Sequence, residues 1–238
     1  MTISVLILAY KESENLKILI PEIQEEISKI TKDYEIIVVD GQISQDNTLD
    51  VCRKYNSLYY NQEEPGYAGA FRTGIKHVTK QNTLVLDADG SHNPKYIPVI
   101  AEKFSQGYDI VIGSRYIKGG VSNDSRTSYV MSKILNATMR FCLGIKAKDI
   151  STSFRMYDTS QIKKITLKCK NYDVLQEIIL KMKINKIKNH EEIKIGEIPI
   201  TFEKRVYGKS KRKLFKFILG YIKTLFVLTV ENFKVFFD

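Results

Sequence analysis

Short apolar runs that alternate with amphipathic segments constrain the fold of this 238-residue chain more than any other feature. Residues 3–9 and 34–39 are mostly apolar, which is typical of strands buried on both faces of a sheet. Between them, a segment that Ser13 could cap carries apolar residues at helical spacing: Leu16, Leu19, Ile20, Ile23 and Ile27. Strands and helices that alternate in this way predict a mainly parallel α/β sheet with right-handed crossovers.

The most informative apolar run covers residues 83–86 and ends in Asp87-Ala88-Asp89. Along an extended segment, alternation would aim the two carboxylates the same way. Pro94 suits the start of the helix that follows. Carboxylate oxygens are ligands that Mg²⁺ or Mn²⁺ prefers, and such an ion could bridge to a diphosphate. A lone Asp-x-Asp is more often a simple turn, so the interpretation depends on the other strand ends.

Polar side chains follow the other predicted strands as well. Tyr10 and Glu12 follow the first strand, and Asp40 follows the second. Because ligands of parallel α/β sheets bind beyond the carboxyl ends of the strands, acids at three strand ends predict one site. Arg115 follows a strand predicted over residues 109–113 and could clamp a diphosphate, although a surface arginine is an equal alternative.

Two loops could also approach a phosphate. Residues 66–70 read Gly-Tyr-Ala-Gly-Ala and precede a helix, where glycines allow close approach of the backbone to a phosphate or sugar. A plain tight loop is equally consistent with that spacing. Near the C-terminus, residues 205–211 combine Gly208 with several cations, which is typical of a phosphate-binding loop.

Together these stretches resemble the family 2 glycosyltransferases of the GT-A fold, most closely the dolichyl-phosphate mannosyltransferases and their prokaryotic relatives. The resemblance covers roughly residues 3–230 and rests on the order and spacing of these segments: VLILAYKESENL, YEIIVVD, PGYAGAFRTGI, LDADGSHNPKYIP, VIGSRYIKGG, DISTSFRMY and EIPITFEKRVYGKSK. It implies a Rossmann-like nucleotide-sugar-binding fold with a mainly parallel central sheet.

The resemblance also implies roles for individual residues. The nucleoside would be held by Tyr10, Glu12, Val38 and Asp40. The sugar nucleotide would contact Asp87, Ala88 and Asp89. Mg²⁺ or Mn²⁺ would be surrounded by Asp87, Asp89 and Ser91. The phosphates would be bound by Arg115, Arg205 and Lys211. The residues most directly concerned with catalysis would be Asp89 and Arg115.

The chain departs from the family pattern at four places. Leu8 stands where a proline is usual, and after Asp40 the common Asp-Gly-Ser becomes Gly-Gln-Ile-Ser at residues 41–44, one residue longer. Thr152 replaces a glycine, and Lys209 replaces an acidic residue. Because the first two departures touch the base pocket, they leave the identity of the nucleotide open.

The activity that the resemblance implies is inverting, metal-dependent transfer of a sugar to a polyprenyl or dolichyl phosphate. Mannose from GDP-mannose is the first expectation for the donor. An acceptor phosphate has a second pKa of about 6 and is largely ionised near neutrality, so it needs no strong general base. The alternative is a transferase of the same fold that uses UDP-glucose or UDP-N-acetylglucosamine, or that has a glycan acceptor.

The charge balance of 37 basic against 27 acidic residues, a net charge of +10, predicts an anionic partner. Binding to nucleic acid is the weaker interpretation. The basic run over residues 204–216 contains only Tyr207 and Phe215 as aromatic residues, and the acidic strand ends would repel a polyanion. We therefore expect a nucleotide-sugar donor and a lipid phosphate as partners, and no nucleic acid.

The chain is predicted to divide into a GT-A domain over residues 1–212 and a helical tail over residues 213–238. Residues 1–116 would bind the nucleotide sugar, and residues 117–212 would form the acceptor side. In the tail, a cationic seam that includes Lys216 and Lys223 interrupts an apolar helix, so no stretch approaches the ~20 apolar residues of a membrane span. A helix lying in the membrane interface is predicted, and packing on the domain or on another subunit is the alternative.

Other features of the sequence predict a cytoplasmic protein that associates peripherally with the membrane. The N-terminus has no recognisable signal peptide. The three cysteines show no metal-binding or redox spacing, which favours a reducing compartment. In the helix predicted over residues 129–143, the interspersed cations are interpreted as a solvated basic face.

Overall fold

The computed structural model describes residues 1–205 and 224–233. The strands are β1 (Ile3–Leu8), β2 (Tyr34–Asp40), β3 (Leu58–Asn61), β4 (Asn82–Asp87), β5 (Ile110–Ser114), β6 (Val121–Ser122), β7 (Arg155–Asp158), β8 (Ile195–Pro199) and β9 (Thr201–Phe202). The helices are α1 (Ser13–Ser28), α2 (Thr48–Lys54), α3 (Tyr67–His77), α4 (Ile97–Phe104), α5 (Arg126–Leu143), α6 (Thr159–Lys163) and α7 (Val174–Lys188), and a 3₁₀ turn at Pro94–Tyr96 leads into α4.

Within these residues one central sheet has seven strands in the order β3-β2-β1-β4-β7-β5-β8. Its neighbouring strands are parallel except at β7, which runs antiparallel to both β4 and β5. β6 and β9 form a separate short parallel pair. The prediction of a mainly parallel α/β sheet is confirmed, and β3 lies at one edge of it.

Hydrophobic residues cover the sheet on both faces. On β1, Val5 and Ile7 pack in one core cluster with residues of α1, α2 and α4. Leu6 and Leu8 pack in the other cluster, with residues of α3, α5 and α7. A strand that is covered on both faces has no solvent-facing positions, so its sequence is a continuous apolar run.

The predicted helices and strands correspond to observed elements with shifted ends. Pro94 opens the 3₁₀ turn before α4 as expected. The sequence does not predict β7, because Arg155 and Asp158 interrupt its apolar pattern. The prediction that Ser13 caps α1 is wrong, because Ser13 is the first residue of the helix and Glu12 occupies the cap position, where its side chain accepts no capping hydrogen bond.

Residues 224–233 form a helix that packs against the domain. Leu228 is 1% exposed and lies in the same core cluster as Met139 and Leu143 of α5. The Thr224 hydroxyl donates a hydrogen bond to Asp173, which precedes α7. The remainder of the predicted tail, residues 213–223 and 234–238, lies outside the described residues, as does Lys211.

A search of residues 1–205 and 224–233 finds no helix with both the length and the apolar character that crossing a membrane requires.

Candidate active site at the carboxyl edge of the sheet

The register of the sheet brings the predicted strand ends to one edge. Leu8, the last residue of β1, pairs with Val39 of β2 on one side and with Asp87 of β4 on the other. Asp40 and Asp87 therefore flank the loop that leaves β1 and carries Tyr10. Because β7 is antiparallel, its amino end lies at this same edge, which brings the segment before Arg155 to the site.

The Asp87-Ala88-Asp89 sequence is not one extended segment. β4 ends at Asp87, and the next two residues form a turn, so the orientation of Asp89 is set by the turn and not by strand alternation as predicted. The Tyr67 hydroxyl donates to Asp87 Oδ1 at 2.9 Å. Asp89 Oδ1 accepts from the Ser91 amide at 3.0 Å and from the Ser91 hydroxyl at 2.6 Å. Each carboxylate is thus held by its own donors.

Gly66 explains how Tyr67 reaches Asp87. Its φ of +88° and its contact with the chain at Lys170, where a Cβ would lie 2.6 Å from the carbonyl oxygen, leave room only for glycine. Tyr67 itself packs against Tyr172 with ring centroids 4.5 Å apart. Burial and the nearby Asp87 raise the pKa of Tyr67 well above its usual value, so its hydroxyl remains a donor.

His92 lies beneath the turn and is fully buried. Its Nδ1 accepts a hydrogen bond from the Asp87 amide at 3.2 Å, and its Nε2 lies 3.4 Å from the Thr152 hydroxyl. Burial lowers the pKa of His92 below its usual value, against the attraction of the two aspartates. A neutral ring that accepts at Nδ1 carries its proton on Nε2, so Nε2 is the donor to Thr152.

Arg205, the last residue of the first described stretch of the chain, lies at the turn. Its Nη2 lies 3.0 Å from Asp89 Oδ2, the oxygen that Ser91 does not engage. Arg205 is partly exposed, whereas Asp89 is buried. The structure therefore brings together two of the predicted site residues and places a cation against the carboxylate that was predicted to bind a metal.

Arg115 has different partners from those expected for a phosphate clamp. Its Nε and Nη2 donate to the two oxygens of Asp149 at 2.7 and 2.9 Å, and Nη2 also donates to the Ser151 hydroxyl. Both members of the pair are buried. Burial opposes ionisation of Asp149, but the Arg115 guanidinium and several hydrogen bonds hold the pKa of this carboxyl below its usual value. The fork is committed to Asp149, and direct phosphate binding by Arg115 stays a prediction.

Phe202 links these two clusters. Its ring meets the His92 ring edge-on at a centroid distance of 5.4 Å, and the Arg115 guanidinium lies 5.1 Å from its centroid. The Glu203 amide donates to the Ser91 carbonyl at 3.0 Å. The short strand β9 thus connects the aspartate turn with the buried Arg115–Asp149 pair, just before Arg205.

The part of the site that is predicted to hold the nucleoside, called the nucleoside end below, lies at the carboxyl terminus of β2. Asp40 Oδ1 accepts from the Gly41 amide at 2.8 Å, and Oδ2 accepts from the Tyr59 hydroxyl at 3.2 Å. Burial raises the pKa of Asp40, and these hydrogen bonds oppose the rise. The Tyr10 ring is exposed and lies beside Gly41, where a Cβ would be 3.1 Å from the ring. An exposed aromatic ring next to a buried carboxylate suits a base and its ribose.

Four other predicted site residues are buried or engaged by neighbouring groups of the protein. Val38 is fully buried in the core cluster under α1, so its side chain does not face the nucleoside end. Ala88 is also buried. Ser91 is buried and donates its hydroxyl to Asp89, which makes it a group that orients the carboxylate. Glu12 accepts from Asn15 at the start of α1. The roles that the resemblance gives these residues stay predictions.

Sequence reasoning missed Tyr67, His92, Thr152 and Asp149 as parts of the site. The three histidines of the sequence show no ligand spacing, so the sequence pattern does not point to His92. Tyr67 and Asp149 lie inside segments that carry the family resemblance, and this was the one signal that could have drawn attention to them.

The residues at the turn fit a divalent metal ion. Carboxylate oxygens are its preferred ligands, and Mg²⁺ is commonly held by one or two carboxylates together with substrate phosphates and water. In the described parts of the chain, no group of three or more His, Cys, Asp or Glu side chains forms a closed metal cage. Asp87 and Asp89 would hold such an ion together with phosphate oxygens. Tyr67 engages Oδ1 of Asp87 and Ser91 engages Oδ1 of Asp89, while Oδ2 of Asp89 is paired with Arg205, which would have to move to admit the ion.

The model of glycosyl transferase family 2 matches residues 4–166 of the chain. The chain belongs to this family. Dolichol-phosphate mannosyltransferase of Pyrococcus furiosus is 32% identical over 237 residues, which cover 96% of this chain and 64% of the relative. Polyprenol monophosphomannose synthase of Mycolicibacterium smegmatis is 29% identical over 226 residues, 87% of this chain and 79% of the relative. The family 2 glycosyltransferase described here thus spans less than two thirds of the length of the Pyrococcus protein.

The fold is that of a known glycosyltransferase structure. Glucosyl-3-phosphoglycerate synthase from Mycobacterium tuberculosis, crystallised with Mn²⁺, UDP and phosphoglyceric acid, has a TM-score of 0.73, with 17% identity and coverage of 96% of this chain and 78% of that one. A second structure of that enzyme contains Mg²⁺ and UDP and has a TM-score of 0.71, with 17% identity and coverage of 96% of this chain and 79% of that one. At this identity the likeness supports the fold alone, and the predicted GT-A fold is confirmed.

Proposed function

We propose that this glycosyltransferase transfers a hexose from a nucleotide-sugar donor to a polyprenyl phosphate, with mannose from GDP-mannose as the first candidate. The observation that carries the proposal is the Asp87–Asp89 turn, whose carboxylates lie at the carboxyl edge of the sheet with Arg205 beside them. The names of the Pyrococcus and Mycolicibacterium relatives support the acceptor class and the sugar.

The nucleoside would bind at the end of β2. The exposed Tyr10 ring offers a face on which a base can stack. Asp40 can accept hydrogen bonds from ribose hydroxyls when one of its present donors, Gly41 or Tyr59, is exchanged. With the nucleoside at the end of β2, the diphosphate would extend toward β4, because Asp40 and Asp87 flank the same loop.

The diphosphate would lie at the aspartate turn. Asp87 and Asp89 would hold Mg²⁺ or Mn²⁺, which when bound supplies positive charge to the leaving diphosphate. Arg205, now paired with Asp89, would turn its guanidinium to the phosphates. Two phosphate oxygens could accept from it side by side, as the two oxygens of a carboxylate can. Lys211 is proposed as a second cation on the same loop. Stabilisation of negative charge on the leaving group is the main catalytic contribution of these residues.

The acceptor phosphate would attack the anomeric carbon of the sugar. Its oxygen forms the new C–O bond while the bond from that carbon to the nucleoside diphosphate breaks, so the configuration inverts and the diphosphate leaves with the bonding electrons. The attacking phosphate is already ionised, with a second pKa of about 6, and no side chain has to remove a proton from it. A glycan hydroxyl would need a positioned base.

The test is a panel of labelled GDP- and UDP-sugars, with polyprenyl phosphate as acceptor and transfer measured into the organic-extractable fraction. We expect transfer from one donor and its loss in excess EDTA. Asp89→Asn is expected to lower turnover by about 100-fold or more, the scale of losing one preorganised electrostatic contact.

The matched control is Asp50→Asn, which neutralises an exposed aspartate on α2 and should retain full activity. Transfer to a glycan with no lipid product would overturn the proposed acceptor, and full activity of Asp89→Asn would overturn the proposed site. Preference for a UDP-sugar would replace the proposed donor and keep the reaction.

We also propose that the enzyme works at the cytoplasmic face of the membrane. A polyprenyl phosphate resides in a bilayer, whereas nucleotide sugars are water-soluble, so the site must open where both are accessible. The net charge of +10 is favourable for association with an anionic surface.

A further inference from the structure

The Tyr67 hydroxyl, which donates to Asp87, stands on a helix end that has no cap of its own. Tyr67 is the first residue of α3, and the residue before it, Gly66, has no side chain to accept a hydrogen bond from the first turn. Helix ends fray, and most of all where a capping side chain is missing. The position of the hydroxyl therefore depends on contacts from outside α3.

Those contacts come from the segment between α6 and α7. We call its last part, residues 168–173, the strap. The Tyr172 ring of the strap packs on the Tyr67 ring with centroids 4.5 Å apart. The Lys170 carbonyl lies against Gly66, where a Cβ would be 2.6 Å from its oxygen. The strap thus contacts both residues at the amino end of α3.

A buried carboxylate holds the beginning of the strap. Glu177 of α7 is 1% exposed, and its two oxygens accept from the Lys168 amide at 2.7 Å and from the Cys169 amide at 2.9 Å. Lys181, one helical turn further along α7, pairs with Glu177 at 2.7 Å. Because the buried charge has a cationic partner and a donor for each oxygen, its desolvation is compensated and the strap backbone is fixed to α7.

The strap is also fixed to α3. The Arg72 side chain of α3 donates from Nη1 to the Cys169 carbonyl at 2.8 Å. Near the other end of the strap, Asp173 Oδ1 accepts from the Asn171 amide at 3.0 Å. The amide of Cys169 is therefore held by α7 and its carbonyl by α3, so the strap joins the two helices on either side of the stacked tyrosines.

We propose that Tyr67 is a positioning residue for Asp87, the proposed metal ligand, and that the strap sets the place of its hydroxyl. The hydroxyl donates to Asp87 Oδ1 at 2.9 Å and so fixes the rotation of the carboxylate before an ion binds. Outer hydrogen-bond partners of this kind orient metal ligands. The inference deepens the proposed function, on which it rests for the metal and the donor diphosphate.

Tyr67→Phe tests the hydroxyl, because it keeps the stacked ring and removes only the donor. Calorimetry measures the affinity for GDP and for UDP, each with Mn²⁺ and with EDTA, and the nucleotide that wild type binds more tightly is used for the variants. Tyr67→Phe should weaken binding with Mn²⁺ by about tenfold or more, the scale of losing an outer partner of a metal ligand. Binding in EDTA should not change.

Tyr34→Phe is the matched control, since it removes a hydroxyl at the opposite end of β2 from Asp40 and should change neither affinity. A purely structural role of Tyr67 would alter binding with and without the ion alike. Unchanged affinity of Tyr67→Phe with Mn²⁺, or equal losses with Mn²⁺ and with EDTA, would overturn the proposal.

Tyr172→Leu tests the strap by removing the ring that stacks on Tyr67. It should also weaken the binding that depends on Mn²⁺. If the strap acts through the Tyr67 hydroxyl, Tyr172→Leu combined with Tyr67→Phe should bind no more weakly than Tyr67→Phe alone. Additive losses would overturn the role of the strap. Urea denaturation of each variant ensures that folded proteins are compared.

Asp87→Asn and the donor panel separate the possible failures. If Asp87→Asn abolishes both Mn²⁺-dependent binding and sugar transfer while Tyr67→Phe retains both, the positioning role is wrong and the proposed function stands. If Tyr67→Phe weakens Mn²⁺-dependent binding but wild type transfers no sugar, the positioning role stands and the proposed function is wrong. If wild type binds neither nucleotide with Mn²⁺, both are wrong.

Discussion

His92 holds the aspartate turn through a neutral imidazole. Its Nδ1 accepts a hydrogen bond from the Asp87 amide, and its Nε2 lies near the Thr152 hydroxyl. Phe154 stacks on the ring at a centroid distance of 5.1 Å. The ring touches no atom that would react, so its role is to position the turn. The Asp87 amide is the last donor of β4 before the turn, and an unpaired buried amide would favour a different backbone conformation.

Replacement of His92 by Phe should therefore impair the site. Phe preserves the ring and removes the acceptor, which leaves a buried donor unsatisfied at a cost of about 1–3 kcal/mol. We expect weaker binding of Mn²⁺ and nucleotide by calorimetry, with KM for the donor raised more than kcat is lowered.

His92→Asn separates positioning from bulk, because the Asn side-chain oxygen can take the place of Nδ1 as acceptor. It should restore much of the affinity that Phe loses. His190→Asn, at an exposed residue outside the site, is the control. Equal losses for Phe and Asn at position 92 would show that only the packing of the ring matters.

At the residue scale, the sequence predicted the positions of the site and not all of its contacts. Asp40, Asp87 and Tyr10 lie at one edge because parallel strands end there, and this follows from the pattern of the chain alone. The partner of Arg115 does not follow from it. Asp149 lies 34 residues further along, and it reaches Arg115 only because the segment before the antiparallel β7 returns to this edge.

At the element scale, Asp46 connects two helices to the nucleoside end. Its Oδ2 accepts from the Ser13 amide at 2.9 Å at the start of α1, and its Oδ1 accepts from the Thr48 amide and hydroxyl at the start of α2. A carboxylate that serves two helix amino ends fixes the loops that carry Tyr10 and Asp40. Burial would raise the pKa of Asp46, but the hydrogen bonds from Thr48 and Ser13 hold it below its usual value.

Asp46→Ala should lower the free energy of unfolding by about 1–2 kcal/mol, the cost of losing a helix cap, measured by urea denaturation. Because the folded-state pKa is lowered, the carboxylate's contribution is fully present above the ordinary aspartate pKa of 3.8 and is lost as the pH falls through the lower folded value. The difference between wild type and Asp46→Ala should thus shrink in acid.

Asp50→Ala, on α2, is the control, because this exposed residue forms a long ion pair with Arg53 at 3.6 Å. Equal effects of the two substitutions, or a difference from wild type that does not change with pH, would show that Asp46 does not act as a shared cap.

The same scale explains which elements could be predicted. Strands such as β1 and β2 are buried on both faces, so their apolar runs are unambiguous. β7 carries a fully buried arginine, Arg155, whose Nη1 donates to the Leu175 carbonyl at 2.7 Å. A charged residue inside a strand is contrary to the pattern from which strands are predicted, and the carbonyl that accepts its Nη1 hydrogen bond lies in α7. Only the assembled fold shows that this segment completes the sheet.

At the scale of the whole molecule, residues 224–233 of the predicted tail pack against the rest of the described chain. Residues 224–233 share the core cluster of the sheet and α7, although their outer face is exposed. One face of this helix therefore completes the core, while Phe226, Val230 and Phe233 on the other face are exposed. The boundary at residues 212 and 213 stays a prediction.

Leu228→Ala tests the packed face. Leu228 is 1% exposed among core residues, and removing a buried leucine side chain costs about 2–5 kcal/mol through lost burial and the cavity left behind. Phe226→Ala, two residues earlier and 72% exposed, should change the free energy of unfolding by no more than about 0.5 kcal/mol in water. If both substitutions leave urea denaturation unchanged, residues 224–233 are not part of the core. If both lower stability equally, the outer face is buried in solution, and a partner subunit or another part of the chain covers it.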